Sequence, residues 1–191
     1  MKKILAVALL SALVATPVLA ADNSGAFYGA IDYGTLAMAD WTLDNPSSTS
    51  LSAGYHFSPV WAVEGGYTAI SDVTRVSASG TGTFTYSQSM WSAVAVGTYA
   101  VNDSFELFGK LGLGIVSGKA AVTGTTTLNG VANTSSNAIT GSVIYGIGAQ
   151  YNFNKQVGVR AQYESLGKTT YDTAYTGLDL TRASVGLIYN F

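Results

Sequence analysis

Ala183-Ser184-Val185-Gly186-Leu187-Ile188-Tyr189-Asn190-Phe191 closes the chain. Period-two alternation places Ala183, Val185, Leu187, Tyr189 and Phe191 on one face of a strand, and Arg182, Ser184, Gly186, Ile188 and Asn190 on the other. The first face suits lipid and the second mostly suits a polar interior. A terminal residue of a water-soluble domain frays, so an aromatic in the last position implies an anchor. The alternation makes a bilayer the expected one.

Lys2 and Lys3 precede an apolar run from Ile4 to Val14, then Pro17 and the small-residue site Val18-Leu19-Ala20. These features predict a cleaved secretory signal over residues 1–20 and one mature domain over 21–191. The apolar run is too short for a spanning helix, and no later segment is long and charge-free enough to be one. If the chain crosses a membrane, it crosses with strands. No cysteine is present, which excludes a lipid-modified N-terminus and a disulfide framework.

The full chain has 9 Lys+Arg and 11 Asp+Glu; two lysines fall in the signal, leaving a mature balance of −4. A mildly acidic chain carries no basic footprint for nucleic acid. Charged residues are 10% of the chain, well below the roughly 25% of soluble domains, and Gly is abundant at 22 residues. That is too few charges for a water-facing surface and too much glycine for a helical protein.

Alternating segments recur near 26–38, 49–57, 61–71, 89–101, 105–117, 138–153, 157–165 and 178–191. Each is close to the roughly ten residues that a tilted strand needs to cross a bilayer. Ser58-Pro59-Val60, Asn102-Asp103-Ser104 and Asn154-Lys155-Gln156 are tight turns by composition and fall at every second junction. These should face the periplasm, and the longer connections near 39–48, 72–88, 118–137 and 166–177 should face outside. An unpaired backbone group in hydrocarbon costs several kcal/mol, so the last strand must pair with the first. The expected fold is all-β: an eight-stranded antiparallel up-and-down transmembrane β-barrel whose interior side chains nearly fill.

Parity sends Phe27, Ile31, Tyr33, Leu51, Tyr55, Phe57, Trp61, Val63, Tyr67, Leu107, Leu111, Leu113, Ile115, Ile147, Tyr151, Phe153, Val157, Val159 and Tyr163 outward. The same parity sends Asp32, His56, Glu64, Glu106, Lys110, Gln150, Arg160, Gln162, Glu164 and Arg182 inward. A base on the lipid face near the midplane would cost about 2–4 kcal/mol, so this segregation is itself a signature of the fold. Mixed signs inside predict a lumen charge network of Asp32, Glu64, Lys110, Arg160, Glu164 and Arg182.

Gly54-Tyr55-His56-Phe57-Ser58-Pro59-Val60-Trp61-Ala62-Val63-Glu64-Gly65-Gly66-Tyr67 resembles the second hairpin of the OmpA transmembrane domain, and more broadly the small OmpA-, OmpX- and opacity-type outer-membrane barrels. Phe105-Glu106-Leu107-Phe108-Gly109-Lys110-Leu111-Gly112, the hairpin running from Gly148 to Tyr163, and the Tyr-x-Phe ending fit the same pattern. The resemblance implies that Glu64, Lys110 and Arg160 form a salt-bridged plug. Gln150 stands where the family often has glutamate and Val96 where it can have lysine, so the network should be smaller and differently paired. The resemblance also implies that Tyr189 and Phe191 are the signal read by the barrel-assembly machinery. The family's separate peptidoglycan-binding domain is not expected, since the chain ends at Phe191.

Paired charges filling a small barrel are the plain reading of the lumen. The sharper one is a gate in which Glu64 and Glu164 exchange Arg160 and Lys110. Val94 and Val96 face inward by parity, which allows a partly apolar lumen; a bulge shifting that register is the alternative. An enzyme would need a nucleophile and a base near the outer rim. The single histidine, His56, lies beside the Pro59 turn at the opposite end, so no catalysis is expected. Asp40, Asp44, Asp72, Asp172 and Asp179 lack the spacing of a calcium loop, and Gly118-Lys119 lacks the rest of a phosphate loop. No cofactor or metal is expected. Trp41, Trp91 and Tyr175 suit an interfacial girdle.

Val73, Val76, Phe84 and Tyr86 alternate through 72–88 and could carry strands beyond the membrane, where a protruding ribbon adheres to foreign surfaces. Thr126-Thr127-Leu128 and Val131-Ala132-Asn133 around Asn129-Gly130 predict a small hairpin. Mobile, variable loops are the plain alternative. The sequence therefore points to a structural or envelope-integrity role, or adhesion-like surface interaction through the outer loops. A narrow channel for small or hydrophobic solutes is the second reading. Expected partners are outer-membrane lipid and lipopolysaccharide, the assembly machinery, and host or environmental surface ligands.

Overall fold

The computed structural model describes residues 24–38, 45–76, 82–124, 127–128, 131–132, 135–169 and 178–191. The signal segment 1–20 lies outside them, as do Trp41, Tyr175, Asp40, Asp44 and Asp172. The strands are β1 (Phe27–Met38), β2 (Ser47–His56), β3 (Trp61–Val76), β4 (Gly82–Ala100), β5 (Phe105–Gly124), β6 (Thr127–Leu128), β7 (Val131–Ala132), β8 (Ser135–Asn152), β9 (Val157–Thr169) and β10 (Leu178–Asn190). Eight of them close a barrel in the order β1-β10-β9-β8-β5-β4-β3-β2, every neighbour antiparallel. The predicted hairpin around Asn129-Gly130 is the separate β6–β7 pair, Thr127 opposite Ala132 and Leu128 opposite Val131.

Closure joins Tyr28 to Asn190 and Met38 to Leu180, and the Phe191 amide donates to the Phe27 carbonyl at 2.9 Å. The terminal residue is thus held by the first strand. Starting at Gln162, the ladder meets Gly148 on one side; followed the other way round the barrel, it reaches β8 at Ala138. That offset is a shear of ten residues. With about 3.3 Å per residue and about 4.8 Å between strands, it tilts the strands by about 41°.

All three predicted tight turns are present and share one device. The Asn102 side-chain carbonyl accepts from the amides of Ser104 and Phe105 at 3.0 and 2.9 Å. That of Asn154 accepts from Gln156 and Val157 at 2.9 and 2.8 Å, and the Ser58 hydroxyl accepts from Trp61 at 2.9 Å. Each side chain satisfies backbone donors that the reversal leaves unpaired.

At the other end the predicted boundaries fall short. β3 continues to Val76, β4 starts at Gly82, β5 runs to Gly124, β8 starts at Ser135 and β9 reaches Thr169. Most of 72–88 and of 118–137, read as long connections, is therefore strand. Their serines and threonines look like loop residues, yet alternate well enough for a ladder outside the bilayer. Two bulges mark this region: Ser71 and Asp72 oppose Ser87 between the Ile70 and Val73 pairings, and Leu166 is inserted between Leu180 and Thr181 of the partner strand. Gly167, at φ 83°, follows the second bulge and accommodates the bend.

The faces follow parity. Phe27, Ile31, Leu51, Val63, Leu111, Leu113, Ile147, Tyr163 and Leu187 are exposed on the outer wall. Trp91 is exposed beside Tyr67, ring centroids 4.8 Å apart, in the position of a girdle pair. The β4–β5 register runs unbroken from Gly82 to Ala100, so Val94 and Val96 do face inward and no bulge intervenes there. Inside, buried Tyr28, Ala62, Val96, Phe108 and Ile188 line the turn end, while Leu36, Ile70, Met90, Val116, Leu166 and Leu180 line the opposite end. The charges lie between these apolar layers.

Candidate functional site

Six inward residues from five strands meet in the middle of the lumen. Arg160 donates through Nε and Nη2 to both oxygens of Asp32 at 2.8 and 2.6 Å, and through Nη1 to Glu64 Oε2 at 2.8 Å. Lys110 donates to Glu64 Oε1 at 2.8 Å and sits 3.6 Å from Glu164. Arg182 donates to Glu164 Oε2 through Nη2 at 2.6 Å and Nε at 3.1 Å. Three carboxylates thus face three bases in one connected, formally neutral cluster. All six are at most 7% exposed, so each charge depends on its partners in place of water.

Hydroxyl groups complete the shell. Ser52 accepts from Arg160 at 3.1 Å, Thr68 from Arg182 at 3.3 Å, and Ser50 accepts from Arg182 while hydrogen-bonding Thr68 at 2.8 Å. Tyr28 donates its hydroxyl to Glu64 Oε2 at 2.9 Å. Glu64 is therefore the hub, bonded to a lysine, an arginine and a phenol. Sequence reading missed Tyr28, Ser50, Ser52 and Thr68, although each shares parity with a charged residue on its own or the neighbouring strand.

The other inward polar residues lie outside this cluster. Gln150 donates to Asn152 at 2.9 Å, and Asn152 donates to Glu106 at 3.0 Å, forming a short chain near the turn end. His56 is half-buried with its ring 5.0 Å from Tyr28. The Gln162 amide is buried within the barrel with neither atom hydrogen-bonded. Two voids of about 20 Å³ flank the ionic layer, one bounded by Ser50, Thr68, Met90 and Leu166, the other by Tyr28, His56, Glu106 and Phe108. Each has room for about one water molecule.

A second feature lies at the open end. β5 pairs with β8 as far as Ala121 opposite Ser135, but β8 pairs with β9 only from Tyr145 to Asn152. Gly167 packs against Ser142 and Val143, so among the described residues Ser135–Gly141 of β8 have no partner on their β9 side. Ile139, within this stretch, is 76% exposed.

The outer membrane protein β-barrel domain family matches residues 6–191 of this chain. The chain belongs to that family. It is an integral barrel of the outer membrane of a Gram-negative bacterium, so its short turns face the periplasm and the extended ends of β3, β4, β5 and β8 face outside. No curated protein matches it. Among solved structures it is similar to Ail, the attachment invasion locus protein of Yersinia pestis, at 21% identity and TM-score 0.60, covering 88% of this chain and 99% of that one. It is equally similar to Neisserial surface protein A, at 19% identity and TM-score 0.60, covering 88% and 100%. The N-terminal barrel of Pseudomonas aeruginosa OprF matches at 13% identity and TM-score 0.55, covering 86% and 97%. At these identities the likeness establishes the fold. Ail has also been crystallised with the heparin analogue sucrose octasulfate.

Proposed function

We propose that this outer-membrane barrel is a non-catalytic surface-interaction protein: a closed cylinder that holds an extracellular β-sheet and its loops against foreign or host surfaces. The observation that carries this reading is the uneven height of the barrel. β4 and β5 remain paired up to Gly82 and Gly124, far past the last β8–β9 pair at Tyr145 and Ser165. The sheet therefore stands out of the membrane with Ser135–Gly141 unpaired on the β9 side among the described residues. Such an edge offers backbone donors and acceptors to an extended chain, the physical basis of strand addition. That Ail, of similar fold, has been crystallised with a heparin analogue supports testing sulfated surface ligands as well.

In this reading the lumen is plugged. Its charges are mutually paired between two apolar layers, and the flanking voids of about 20 Å³ each suit single waters, not a solute path. Tyr189 and Phe191, outward-facing with ring centroids 5.1 Å apart, are the proposed contact for the assembly machinery, and lipopolysaccharide and outer-membrane lipid surround the wall.

Two measurements test the proposal. Vesicles carrying the refolded barrel should bind immobilised heparin or extracellular-matrix protein above empty vesicles, and lose that binding when Ile139→Pro blocks the sheet edge or the outer strand ends are trimmed. Equal retention of all vesicles would reject the surface role. Planar bilayers with the same protein should stay silent; steady openings altered by Glu64→Ala would favour the narrow-channel reading.

A further inference from the structure

We propose that the buried charge network also fixes the register of the barrel, using three lumen glycines as seats. The need arises from the alternation itself. A one-residue slip between strands turns every side chain to the wrong face, but a two-residue slip preserves both faces, and glycine-rich strands specify register weakly. Hydrophobic patterning therefore cannot distinguish a shear of ten from eight or twelve.

Three polar contacts supply the distinction, each passing over a strand to which it owes no side chain. Gly186 of β10 is paired with Asp32 on one side and Arg160 on the other, and those two join above it at 2.6 Å. Gly146 of β8 lies between Lys110 and Glu164, 3.6 Å apart. Gly54 of β2 lies between Tyr28 and Glu64, joined at 2.9 Å. A Cβ placed on Gly186 would fall on the Asp32 carboxylate, one on Gly146 on the Glu164 side chain, and one on Gly54 on the Tyr28 ring. The contacts exist because the strand beneath offers no side chain at that point.

A two-residue slip destroys each seat. β10 would present Ser184 or Ile188 beneath the Asp32–Arg160 pair, and β2 would present Ser52 or His56 beneath Tyr28. β8 could offer Gly148, but Gly148 already seats the Phe108 ring, and that slip would drive Gln150 under Phe108. Together the seats set six of the eight strand pairings; the remaining strand, β4, is crossed by the Lys110–Glu64 pair at 2.8 Å. The closing strand β10 is the most dependent, because its two neighbours are tied to each other across it. Register selection is a use for which buried polar groups are well suited.

The natural absence of cysteine permits a direct test with the full chain refolded into vesicles. On the lipid face Tyr33 stands opposite Val185, while Ala183 and Leu187 are two residues away in either direction. Tyr33→Cys with Val185→Cys should form a disulfide, and Tyr33→Cys with Ala183→Cys or with Leu187→Cys should not, since diagonal positions are too far apart. In an Asp32→Leu, Arg160→Met background of similar volume, a tenth or more of the folded barrel should become cross-linked at a slipped pair. Ser184→Gly gives a second arm in which the network is intact. Its hydroxyl has no hydrogen-bond partner, and the change creates a rival seat two residues from Gly186, so it should raise the Tyr33→Cys, Ala183→Cys cross-link. Slipped cross-links in the Asp32→Leu, Arg160→Met arm, or in the Ser184→Gly arm where the first does not fold, support the register key. Folded protein carrying only the Tyr33–Val185 bridge in both arms, or in the Ser184→Gly arm when the other does not fold, would overturn it.

Discussion

The periplasmic half of the barrel and its extracellular sheet are built from the same kind of ladder under opposite constraints. In the lower half every strand has two partners, its outer side chains meet lipid and its inner ones meet a closed ionic cluster. In the upper part β4 and β5 continue as a paired sheet, while the β8–β9 ladder stops at Tyr145 and, among the described residues, Ser135–Gly141 pair with β5 alone. Serine, threonine and glycine are frequent there, where Gly82–Ser89 of β4 are half-buried and Val122 of β5 remains buried on the inner face. The contrast teaches that closure is enforced only where hydrocarbon forbids an open edge. Above that level a strand can end its pairing without that penalty, which is what the proposed surface role requires.

The sharpest way to break the lower half is to remove its hub. Glu64→Ala leaves Lys110, Arg160 and the Tyr28 hydroxyl without their shared acceptor, although Lys110 retains Glu164 and Arg160 retains Asp32. Loss of one partner from a buried ion pair costs about 3–5 kcal/mol, and this change should fall in that range. Reversible urea unfolding of the vesicle-inserted barrel measures it; a change within about 0.5 kcal/mol of zero would mean that the cluster contributes little. The parallel loss of a solvent-facing charge such as Lys119 should be near zero, as for surface substitutions generally.

A smaller effect separates the halves on their outer wall. Leu111 lies about 15 Å above the Asn102 turn, using about 2.5 Å of axial rise per tilted residue, and so near the bilayer centre. Leu111→Arg should destabilise by about 2–4 kcal/mol. Ile139, paired with Ser117 at about 30 Å, stands at or beyond the outer interface, and Ile139→Arg should cost about 0–1 kcal/mol. Equal penalties at both positions, measured by the same titration, would show that the bilayer reaches higher on the β5–β8 side than the register implies.

The same contrast explains what the sequence disclosed. Inside the membrane both faces of a strand are under selection, so parity alone located Asp32, Glu64, Lys110, Arg160, Glu164 and Arg182 on one wall, and the structure brings these six together. It also located the three turns, whose Asn and Ser side chains have a specific local task. Parity did not reveal which charges pair, because Asp32 and Arg160 are 128 residues apart and meet across an intervening strand. Nor did it separate strand from loop above the membrane. Ser87 and Gln88 are paired β-strand but read as a connection, since a ladder outside the bilayer requires no lipid-facing apolar row. The bulge at Leu166 was hidden for a related reason: the residue keeps an inward side chain, and only the partner strand shows that it is extra.

The periplasmic turns offer the smallest and most diagnostic perturbation. Asn154 accepts two backbone hydrogen bonds, from Gln156 and Val157, and Asn102 accepts two from Ser104 and Phe105. Both turns are exposed, so water replaces a lost acceptor and the net cost of Asn154→Ala should be about 1 kcal/mol, not the several that buried donors would incur. The loss should appear in the turn and its adjoining strands, because the Asn190 amide donates to Gln156 at 2.7 Å and couples this turn to the end of β10. Hydrogen exchange at Val157 and Asn190 should quicken in Asn154→Ala, while exchange at Lys119 and Ala121, high in the β4–β5 ladder, stays unchanged. Asn102→Ala should not affect the Asn190 amide, since the Asn102 turn instead lies beside Asn152 through the Ser104 carbonyl. If both substitutions loosen Asn190 alike, the rim acts as one cooperative unit and the turns are not the independent clamps that their hydrogen bonding describes.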